Sequence, residues 1–438
     1  MGHRVALVLL ATAALAFVAG CGESSPSPSS LGDANALATV RIPGGIADDC
    51  STDVTKQLLD WFASVPNDSV LSFSTNGCYR VEGTLVLRAR NDLFFDGHGA
   101  TFRSSNPPSD HRAIWRLVDS RRIVLRDMTI RGSYAHGGTF APNLQHAHAV
   151  DVDGSSVDIE NVTMSDVAGD CVYFGRGPGT SLTLSSGTVL DSTCLRTSRN
   201  AIAVVAGEDI LVQRVRTGSI GYNVFDLEPN VDTGWGSNGV TFDDNTIGSY
   251  AKSVYSIVEG APISNQSFTN NYILGAGLKI AIGDPAHAGY RARDVTISGN
   301  TAETPQAPAA INVDRVDGLT ITANTIPLTG GPMAAVTGSC GVDISGNRYP
   351  SGSTEALIYP SVCSFTPAHG PTGTPVVVNG SGLNQASSAA IGKARARFAP
   401  HSSMRMTVFV PRHAVSGAIT VTTPNGSATS SARFTVTG

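Results

Sequence analysis

A short phrase of alternating apolar and polar residues returns repeatedly along the chain. Alternation of this kind predicts a β-strand with one buried and one exposed face. One short strand cannot bury its apolar face alone, whereas copies stacked on each other can. The repeat therefore predicts a solenoid. The copies occupy residues 124–130, 157–161, 240–245, 295–300, 319–324 and 342–347.

A second set of apolar-rich segments interleaves with the first, each roughly one turn before a copy of the repeated phrase. One coil then holds at least two strands, and strands that recur once per coil pair in parallel about 4.8 Å apart. About ten coils would give a rod on the order of 50 Å long. These segments are residues 149–153, 171–174, 201–205, 224–228, 255–258, 279–282 and 311–314.

Asparagines recur at one corner of successive coils. Asn tolerates left-handed backbone geometry, and stacked side-chain amides can hydrogen-bond along the solenoid axis. We therefore expect a structural role for these residues and no catalytic one. They are Asn245, Asn271, Asn300, Asn324 and Asn347.

One amphipathic helix is predicted before the repeat. Residues 51–53 (Ser-Thr-Asp) offer an N-cap, and Val54, Leu58, Leu59 and Phe62 follow at helical spacing. The first coil of a solenoid exposes apolar core and unpaired backbone. We expect the helix to cover that open end.

Residues 1–20 are predicted to be a signal peptide and not part of the fold. His3 and Arg4 precede an apolar run over residues 5–18. This run is too short to span a bilayer comfortably and is typical of a secretory signal.

The run ends in residues 18–21 (Val-Ala-Gly-Cys), which resemble a bacterial lipobox. The resemblance implies cleavage before Cys21, diacylation of its thiol, and an extracytoplasmic protein that is lipid-anchored to the bacterial cell membrane. The alternative is an ordinary signal peptide with a chance cysteine. Residues 21–40 are rich in Ser, Pro and Gly and are predicted to be a flexible tether.

The chain has seven cysteines, and assigning Cys21 to lipid leaves six. These six fall into three pairs of near neighbours, and the last two pairs are each separated by about one repeat, so that stacked coils could bring them within bonding reach. Disulfides fit an oxidising compartment. Six cysteines allow fifteen pairings, so the connectivity is a prediction. The predicted pairs are Cys50 with Cys78, Cys171 with Cys194, and Cys340 with Cys363.

The net charge of the chain is −5, and its basic residues form no cluster. Nucleic acid is therefore not expected as a partner.

The repeats support a resemblance to a known fold family. Residues 42–359 look like the right-handed parallel β-helix of the pectate lyase superfamily, and residues 96–102 (Asp-Gly-His-Gly-Ala-Thr-Phe) resemble its early-coil "DGxGA" phrase. The resemblance implies an all-β fold over residues 41–360, with no particular activity, because this fold hosts many chemistries. Residues 364–438 break the repeat and are similar to an IPT/TIG domain, a small Ig-like sandwich.

Candidate chemistry lies on the outward face of the second strand set. If the apolar residues point inward, the alternate positions form a strip of carboxylates with a tyrosine, which suits an extended polysaccharide; uronic acids would pair with arginine. The catalytic candidates are Asp226, Glu228, Asp151, Asp153 and Asp170; the substrate-binding candidates are Tyr173, Arg176, Arg199, His148 and Lys279.

Two reaction types remain open. Asp226 and Glu228 are about 7 Å apart along one strand, which is compatible with an inverting glycosidase; either acid lies about 14 Å from Asp151 and Asp153. A lyase or epimerase instead needs a base and cations that neutralise a uronate carboxylate. Tyr173, His146, His148, Arg176, Arg199 and Lys279 could supply them.

Comparison with polygalacturonases leaves pectin hydrolysis of that type doubtful. Residues 169–172 (Gly-Asp-Cys-Val) are similar to their "DDC" strand but have Gly where the first Asp belongs, so only Asp170 remains a candidate. His146 and His148 alternate on a strand and suggest a metal, yet no third ligand stands at a diagnostic spacing, so no metal or cofactor is expected.

Two functions are therefore expected as alternatives. The first is an enzyme that acts on an extracellular polysaccharide. The second is a non-catalytic surface protein that binds glycan or protein.

Overall fold

The computed structural model describes residues 37–176, 184–229, 235–258, 260–275, 277, 279–283 and 290–438. The predicted signal peptide, Cys21 and the tether up to residue 36 lie outside the described residues. The last three residues predicted as tether belong to the strand Ala38–Arg41. Among the described residues, no helix has the length and apolar character needed to cross a membrane.

The seven interleaved segments form part of one parallel sheet, which has eleven strands within the described residues. Each strand pairs with the corresponding strand of the next coil, as in Val150–Asp153 with Val172–Gly175. We call this sheet the eleven-stranded sheet. Its strands are Leu85–Arg88, Trp115–Val118, Val150–Asp153, Val172–Gly175, Ile202–Val204, Phe225–Leu227, Tyr255–Ile257, Ile280–Ile282, Ile311–Asp314, Gly331–Thr337 and Ser353–Ile358.

The repeated phrase forms the other wall of the solenoid, a parallel sheet of nineteen strands within the described residues. Its strands are Ala38–Arg41, Asp49–Asp53, Ser69–Ser72, Cys78–Arg80, Asn91–Arg103, Arg121–Arg131, Ser156–Ser165, Ser185–Leu190, Thr193–Thr197, Gly207–Gln213, Arg216–Ile220, Ser237–Asp243, Thr246–Ile247, Ile263–Thr269, Tyr272–Ile273, Ala292–Ser298, Thr301–Ala302, Val316–Thr322 and Cys340–Ser345.

The fold is the expected right-handed parallel β-helix. The long strands of the nineteen-stranded sheet bend where one residue takes a left-handed conformation. Asp127 and Asn161 are two such residues in adjacent coils, and the Asn161 amide donates to the Asp127 carboxylate at 2.6 Å. The inward side chains of both sheets form one continuous apolar core.

The predicted helix is present as Thr55–Ser64. The expected N-cap within residues 51–53 was wrong, because Val54 is the N-cap residue; the Asp53 carboxylate nevertheless accepts a hydrogen bond from the Thr55 backbone N–H at 3.0 Å. Leu58, Trp61 and Phe62 are buried, and the Phe62 ring stacks on Trp115 with 5.6 Å between ring centroids. The helix thus covers the apolar interior of the first coils.

The asparagine ladder is present. Each side-chain amide donates to the side-chain oxygen of the next asparagine, at 2.9 to 3.0 Å, from Asn245 to Asn347. The backbone expectation was wrong, because the left-handed residue is the one before each asparagine. These residues are Asp244, Asn270, Gly299, Ala323 and Gly346.

All three predicted disulfides are confirmed: Cys50–Cys78, Cys171–Cys194 and Cys340–Cys363. Disulfides of this kind are typical of proteins that mature outside the reducing cytosol. The third bond joins the last coil to the C-terminal domain, where Ser381 Oγ also donates to the Ser339 carbonyl at 2.9 Å.

The C-terminal domain is Ig-like and has its own apolar core. Its strands pair almost entirely antiparallel. They are Ser361–Thr366, His369–Gly370, Pro375–Ser381, Ser388–Ile391, Ala394–Ser402, Arg405–Phe409, Gly417–Thr423 and Gly426–Val436.

Candidate functional site

The outward positions of the eleven-stranded sheet align into one row. The inward neighbours of this row, such as Val150 and Val172, are buried in the core as expected. The row runs Arg116, Asp151, Tyr173, Ala203, Asp226 and Ser256, one residue per coil. Asp151 and Asp226 are therefore three coils apart.

The expectation that this row faces solvent was wrong for several residues. Within the row, Ala203 and Asp226 are 1% exposed and Ser256 is 4% exposed; Asp170, which precedes the strand Val172–Gly175, is 0% exposed. A long loop over residues 132–149, which was not predicted from the sequence, packs near these residues. It reaches across the following coils, where the Ala141 backbone N–H donates to Ser198 Oγ at 2.6 Å and the Phe140 ring stacks on Tyr222.

A largely buried charge cluster forms around Arg199, in which the Glu228 side chain, 42% exposed, is the one most open to solvent. Its guanidinium donates to Asp170 at 3.0 Å and to Glu228 at 2.7 Å. The Asn200 backbone N–H donates to Asp170 at 2.8 Å, and the Asn200 amide donates to Asp226 at 3.2 Å. Arg199 is only 9% exposed, so this arginine, predicted to bind a substrate carboxylate, already neutralises carboxylates of the protein. We call Asp170, Arg199, Asn200, Asp226 and Glu228 the Arg199 cluster.

Burial dominates the electrostatics of the Arg199 cluster. It raises the pKa of Asp170 to about 7, although Arg199 opposes the shift. Burial also raises the pKa of Asp226, and burial together with Asp226 raises that of Glu228. For Arg199, burial alone would lower the pKa, but the adjoining carboxylates outweigh it and raise the pKa. The cluster therefore has the features of an internal ion network. The catalytic roles predicted for Asp170, Asp226 and Glu228 stay predictions.

His148 lies at the edge of this network. The Asp170 backbone N–H donates to His148 Nδ1 at 3.1 Å, so the ring carries its proton on Nε2. Burial, followed by the charge of Arg199, lowers the pKa of His148 well below its ordinary value. The ring is neutral at pH 7 and stacks on Tyr173, with 4.7 Å between centroids and 11° between planes.

Gly169 permits the close approach of these segments. A Cβ at this position would lie 2.8 Å from His148 Nδ1 and 2.8 Å from the Ala147 backbone. The aspartate that the polygalacturonase pattern places there would clash with this packing. The departure from that pattern therefore has a structural reason.

A cavity of about 160 Å³ opens on the outward face beside Asp151. We call it the Asp151 pocket. It combines carboxylates, arginines, histidines and one tyrosine. Its lining residues are His111, Arg116, His146, His148, Asp151, Asp153, Tyr173 and Arg176.

Arg116 orders the two carboxylates of the pocket. Its guanidinium donates twice to Asp153 Oδ2, at 2.9 and 2.6 Å, and lies 3.3 Å from Asp151. Asp151 Oδ1 is buried and has no hydrogen-bond partner among the described residues. The two acids of one strand therefore have different environments: Asp153 is held by Arg116, and Asp151 is only partly compensated.

This difference sets the protonation of the pocket. Burial, followed by the nearby charge of Asp153, raises the pKa of Asp151 to about 7. Burial and Asp151 also raise the pKa of Tyr173, so its phenol stays protonated. The pocket thus holds a carboxyl group that can donate a proton near neutral pH.

The remaining candidates lie in different places. Arg176 lines the pocket, and its guanidinium lies over the Trp235 ring, 4.7 Å from the centroid. Lys279 is exposed but precedes the strand Ile280–Ile282, five coils from Asp151 and therefore about 24 Å away. Structure thus brings Asp151, Asp153, Tyr173, His148 and Arg176 together, and it separates them from Lys279.

A larger surface cavity of about 600 Å³ lies elsewhere, beside Pro262. Its described lining contains none of the predicted site residues. Its arginine Arg291 pairs with Asp317 at 2.5 Å. We therefore place the candidate site at the smaller Asp151 pocket, which is lined by more titratable side chains.

Sequence reasoning missed Arg116, Asp110 and His111. Arg116 stands at the outward position of Trp115–Val118, a strand whose alternation was readable but was not recognised as part of the interleaved set. Asp110 and His111 lie in a loop without periodicity, and they contact His146 across 36 residues of sequence. The sequence carried no signal for that contact.

Comparison with known proteins identifies the family of the C-terminal domain and solved structures that are similar to the chain. Residues 360–437 match the IPT/TIG domain family. No curated protein matches the chain in sequence. The chain is similar to PfbA, a surface adhesin of Streptococcus pneumoniae, with 14% identity and a TM-score of 0.43 over 78% of this chain and 98% of that one.

Two further solved structures are similar. The endo-xylogalacturonan hydrolase from Aspergillus tubingensis shares 12% identity with a TM-score of 0.43 over 75% of this chain and 96% of that one. An auxiliary nutrient binding protein from Bacteroides thetaiotaomicron shares 17% identity with a TM-score of 0.17; the match covers 18% of this chain and spans 21% of that protein. These likenesses concern the fold alone.

Proposed function

We propose that this protein is an extracellular carbohydrate-active enzyme that cleaves a polysaccharide by hydrolysis in the Asp151 pocket. The observation that carries the proposal is the contrast between its two acids. The Asp151 carboxyl has a pKa of about 7, whereas Asp153 is held by two hydrogen bonds from Arg116. When two neighbouring carboxyl groups have such different environments, the one with the raised pKa is assigned as the acid and the other as the base.

The roles follow from this contrast. Asp151 donates its proton to the glycosidic oxygen as the bond from the anomeric carbon to that oxygen breaks. Asp153 accepts a proton from the water that attacks the anomeric carbon. Asp151 Oδ2 and Asp153 Oδ2 lie 3.3 and 2.9 Å from the same Arg116 Nε, so these two oxygens are at most about 6 Å apart, slightly less than the about 6.5–9.5 Å typical of an inverting glycosidase. The products are two sugar chains; Asp153 releases its proton to solvent, and Asp151 regains one from solvent.

Other residues of the site suit sugar binding. Tyr173 offers a protonated phenol, and Trp235 offers an aromatic ring near Arg176. Aromatic rings pack against the C–H faces of sugars, and arginine pairs with the carboxylate of uronic acids. The proposed substrate class is therefore an extended neutral or uronate-containing polysaccharide.

A second candidate function is glycan binding without catalysis, as in an adhesion lipoprotein. The observation that favours it is the burial of Asp153, which is 1% exposed and held by Arg116. A base must reach a water molecule, and this arrangement limits that access. The pocket would then bind sugar through the same residues without cleaving it.

We also propose lipid anchoring to the bacterial cell membrane through Cys21. The lipobox-like residues 18–21 motivate it. Loss of the protein from the membrane fraction in the Cys21→Ser variant is the expected consequence.

The enzymatic proposal is tested with the purified full chain on a panel of neutral and uronate-containing polysaccharides, with products detected by mass spectrometry. For a substrate that is cleaved, Asp151→Asn removes the general acid, and the rate should fall by about 10²–10⁴-fold. The wild-type rate should also fall as pH rises through about 7, where Asp151 loses its proton. Asp343→Asn, an exposed acid on the other sheet, is the matched control and should keep full activity.

Three outcomes separate the alternatives. Cleavage that survives Asp151→Asn contradicts the assigned acid. Glycan binding by the wild-type protein without any product supports the binding function instead. If no polysaccharide of the panel is bound or cleaved, both carbohydrate proposals are wrong.

A further inference from the structure

Three possible metal ligands meet at the rim of the Asp151 pocket. Asp110, His111 and His146 place one ligand atom each within 4.8 Å of the others. Asp110 Oδ2 lies 3.3 Å from His146 Nδ1 and 2.9 Å from His111 Nδ1. We call these three residues the Asp110 cluster.

The spacing of the Asp110 cluster suits a small divalent ion. Zinc binds His nitrogen and carboxylate oxygen at about 2.0–2.2 Å, so ligand atoms around a tetrahedral ion stand about 3.3 Å apart. The two short separations already match this value. The histidine rings are 4.5 Å apart between centroids, and a modest rotation of exposed side chains would close the third separation.

The surroundings hold the carboxylate in place and leave the rings accessible. The His146 backbone N–H donates to Asp110 Oδ1 at 2.9 Å. On the other side of the loop, Arg112 donates to the Glu82 carbonyl at 2.6 Å, which ties this segment to the solenoid. The side chains of Asp110, His111 and His146 are 35%, 74% and 42% exposed, so an ion can reach them directly from solvent.

From this geometry we infer that Asp110, His111 and His146 form a binding site for a divalent transition-metal ion of the zinc class. Two imidazoles and one carboxylate favour such ions over calcium or magnesium, which prefer oxygen ligands. Binding through Nδ1 requires both rings in the Nε2–H tautomer, so that each Nδ1 lone pair faces the ion. Three protein ligands leave a coordination position open.

The position of this site gives it a functional consequence. His111 and His146 also line the Asp151 pocket. An ion held by the Asp110 cluster therefore stands next to the sugar-binding surface, where its open position can take a hydroxyl or carboxylate oxygen of the glycan. This inference goes beyond the proposed hydrolysis, and it stands or falls on metal binding alone.

The test measures binding of Zn²⁺ alone to the untagged full chain by isothermal titration calorimetry, with Co²⁺ absorption as a second readout of the ligand set. We expect one Zn²⁺ per chain. His111→Ala and His146→Ala should each weaken binding by at least about 10–100-fold, the loss that even outer-shell changes cause at metal sites. His401→Ala, an exposed histidine of the C-terminal domain, is the control and should bind as the wild type does.

Circular dichroism of each variant shows whether it is folded, and the exposure of all three histidines favours folding. The inference is overturned if Zn²⁺ does not bind at millimolar concentration, or if binding is unchanged in both His111→Ala and His146→Ala. It is also overturned if Ca²⁺ binds there as tightly as Zn²⁺, because the site would then be a nonspecific cation site.

Discussion

Arg199 was predicted to bind substrate, but its contacts indicate that it stabilises the fold. It is almost completely buried and contacts Asp170 and Glu228 directly. A buried carboxylate that loses its counter-ion is costly, because no water replaces the lost partner. Asp170 can avoid that cost by taking up a proton, which makes the contribution of Arg199 to stability dependent on pH.

We predict that Arg199→Met destabilises the protein more at pH 8 than at pH 5. The pKa of Asp170 is already raised to about 7 beside Arg199, and loss of the guanidinium raises it further. At pH 5 Asp170 is protonated in both proteins, so the loss is small. An acid with a raised folded-state pKa lowers the stability of the fold as pH rises from its unfolded-state pKa to its folded-state pKa, and loss of Arg199 moves that upper limit to higher pH. At pH 8, one pH unit above the wild-type pKa of Asp170, the variant should therefore lose about 1.4 kcal/mol more of its free energy of unfolding than at pH 5, as measured by chemical denaturation.

Arg214→Met is the matched control for this prediction. Arg214 pairs with Asp191 at 2.7 Å, but both side chains are well exposed. Exposed pairs contribute less than about 1 kcal/mol, so this variant should unfold nearly as the wild type does at both pH values. An equal loss at pH 5 and pH 8 for Arg199→Met would contradict the proposed protonation of Asp170.

For the candidate site, the sequence could predict which residue types are present and which of them share a face of the sheet. Asp151, Asp153 and Tyr173 share a face because alternation along a strand fixes direction. The burial of Asp226 and the pairing of Arg199 could not be predicted in this way. Both depend on corners and loops that meet from distant parts of the chain, and alternation carries no information about such contacts.

The asparagine ladder is the element that repeats most regularly along the solenoid. Asn300 is at its centre: its amide donates to the Phe268 carbonyl at 2.8 Å and to Asn324 Oδ1 at 2.9 Å. Its own oxygen accepts from the backbone N–H and the amide of Asn271, both at 3.0 Å. One side chain therefore satisfies four buried polar contacts in three coils.

We predict that Asn300→Ala lowers the free energy of unfolding by at least about 2–4 kcal/mol. Each buried polar group left without a partner costs about 1–3 kcal/mol, and the substitution leaves several at once. Chemical denaturation monitored by circular dichroism measures the loss.

Asn347→Ala provides the comparison at the end of the ladder. Asn347 is only partly buried, so water can replace its hydrogen bonds, and the loss should stay below about 1.5 kcal/mol. If the two variants are destabilised equally, the coils do not depend on the ladder as a buried network.

At the scale of elements, sequence predicted strands well and connections poorly. Both strand sets, the capping helix and the ladder follow from local periodicity. The strand Trp115–Val118 was missed although it alternates, because the flanking segments do not repeat the Asn-rich corner. The loop over residues 132–149 was missed for a different reason: its contacts with Thr197, Ser198 and Tyr222 are non-local.

At the scale of the molecule, the pairing of the cysteines indicates the cellular compartment in which the protein folds. Three disulfides lie at separate places: near the N-terminal helix, in the coil beneath the Arg199 cluster, and between the last coil and the C-terminal domain. They account for six of the seven cysteines. Cys21 is the seventh, and it stands at the end of the lipobox-like segment. This division supports the proposed lipidation of Cys21, because the six paired thiols are committed to the fold.

We predict that Cys21→Ser releases the protein from the membrane. A diacyl anchor contributes about 0.8 kcal/mol per buried CH₂ group, and two chains suffice for stable anchoring; serine offers no thiol for the acyl glyceride. Wild-type protein should enter the membrane and detergent-rich fractions of expressing bacteria, and the variant should enter the aqueous fraction. Ser24→Ala, in the same predicted tether, is the control and should stay with the membrane. If the wild-type protein is found in the aqueous fraction, or Cys21→Ser remains in the membrane, lipid does not hold this β-helix at the cell surface.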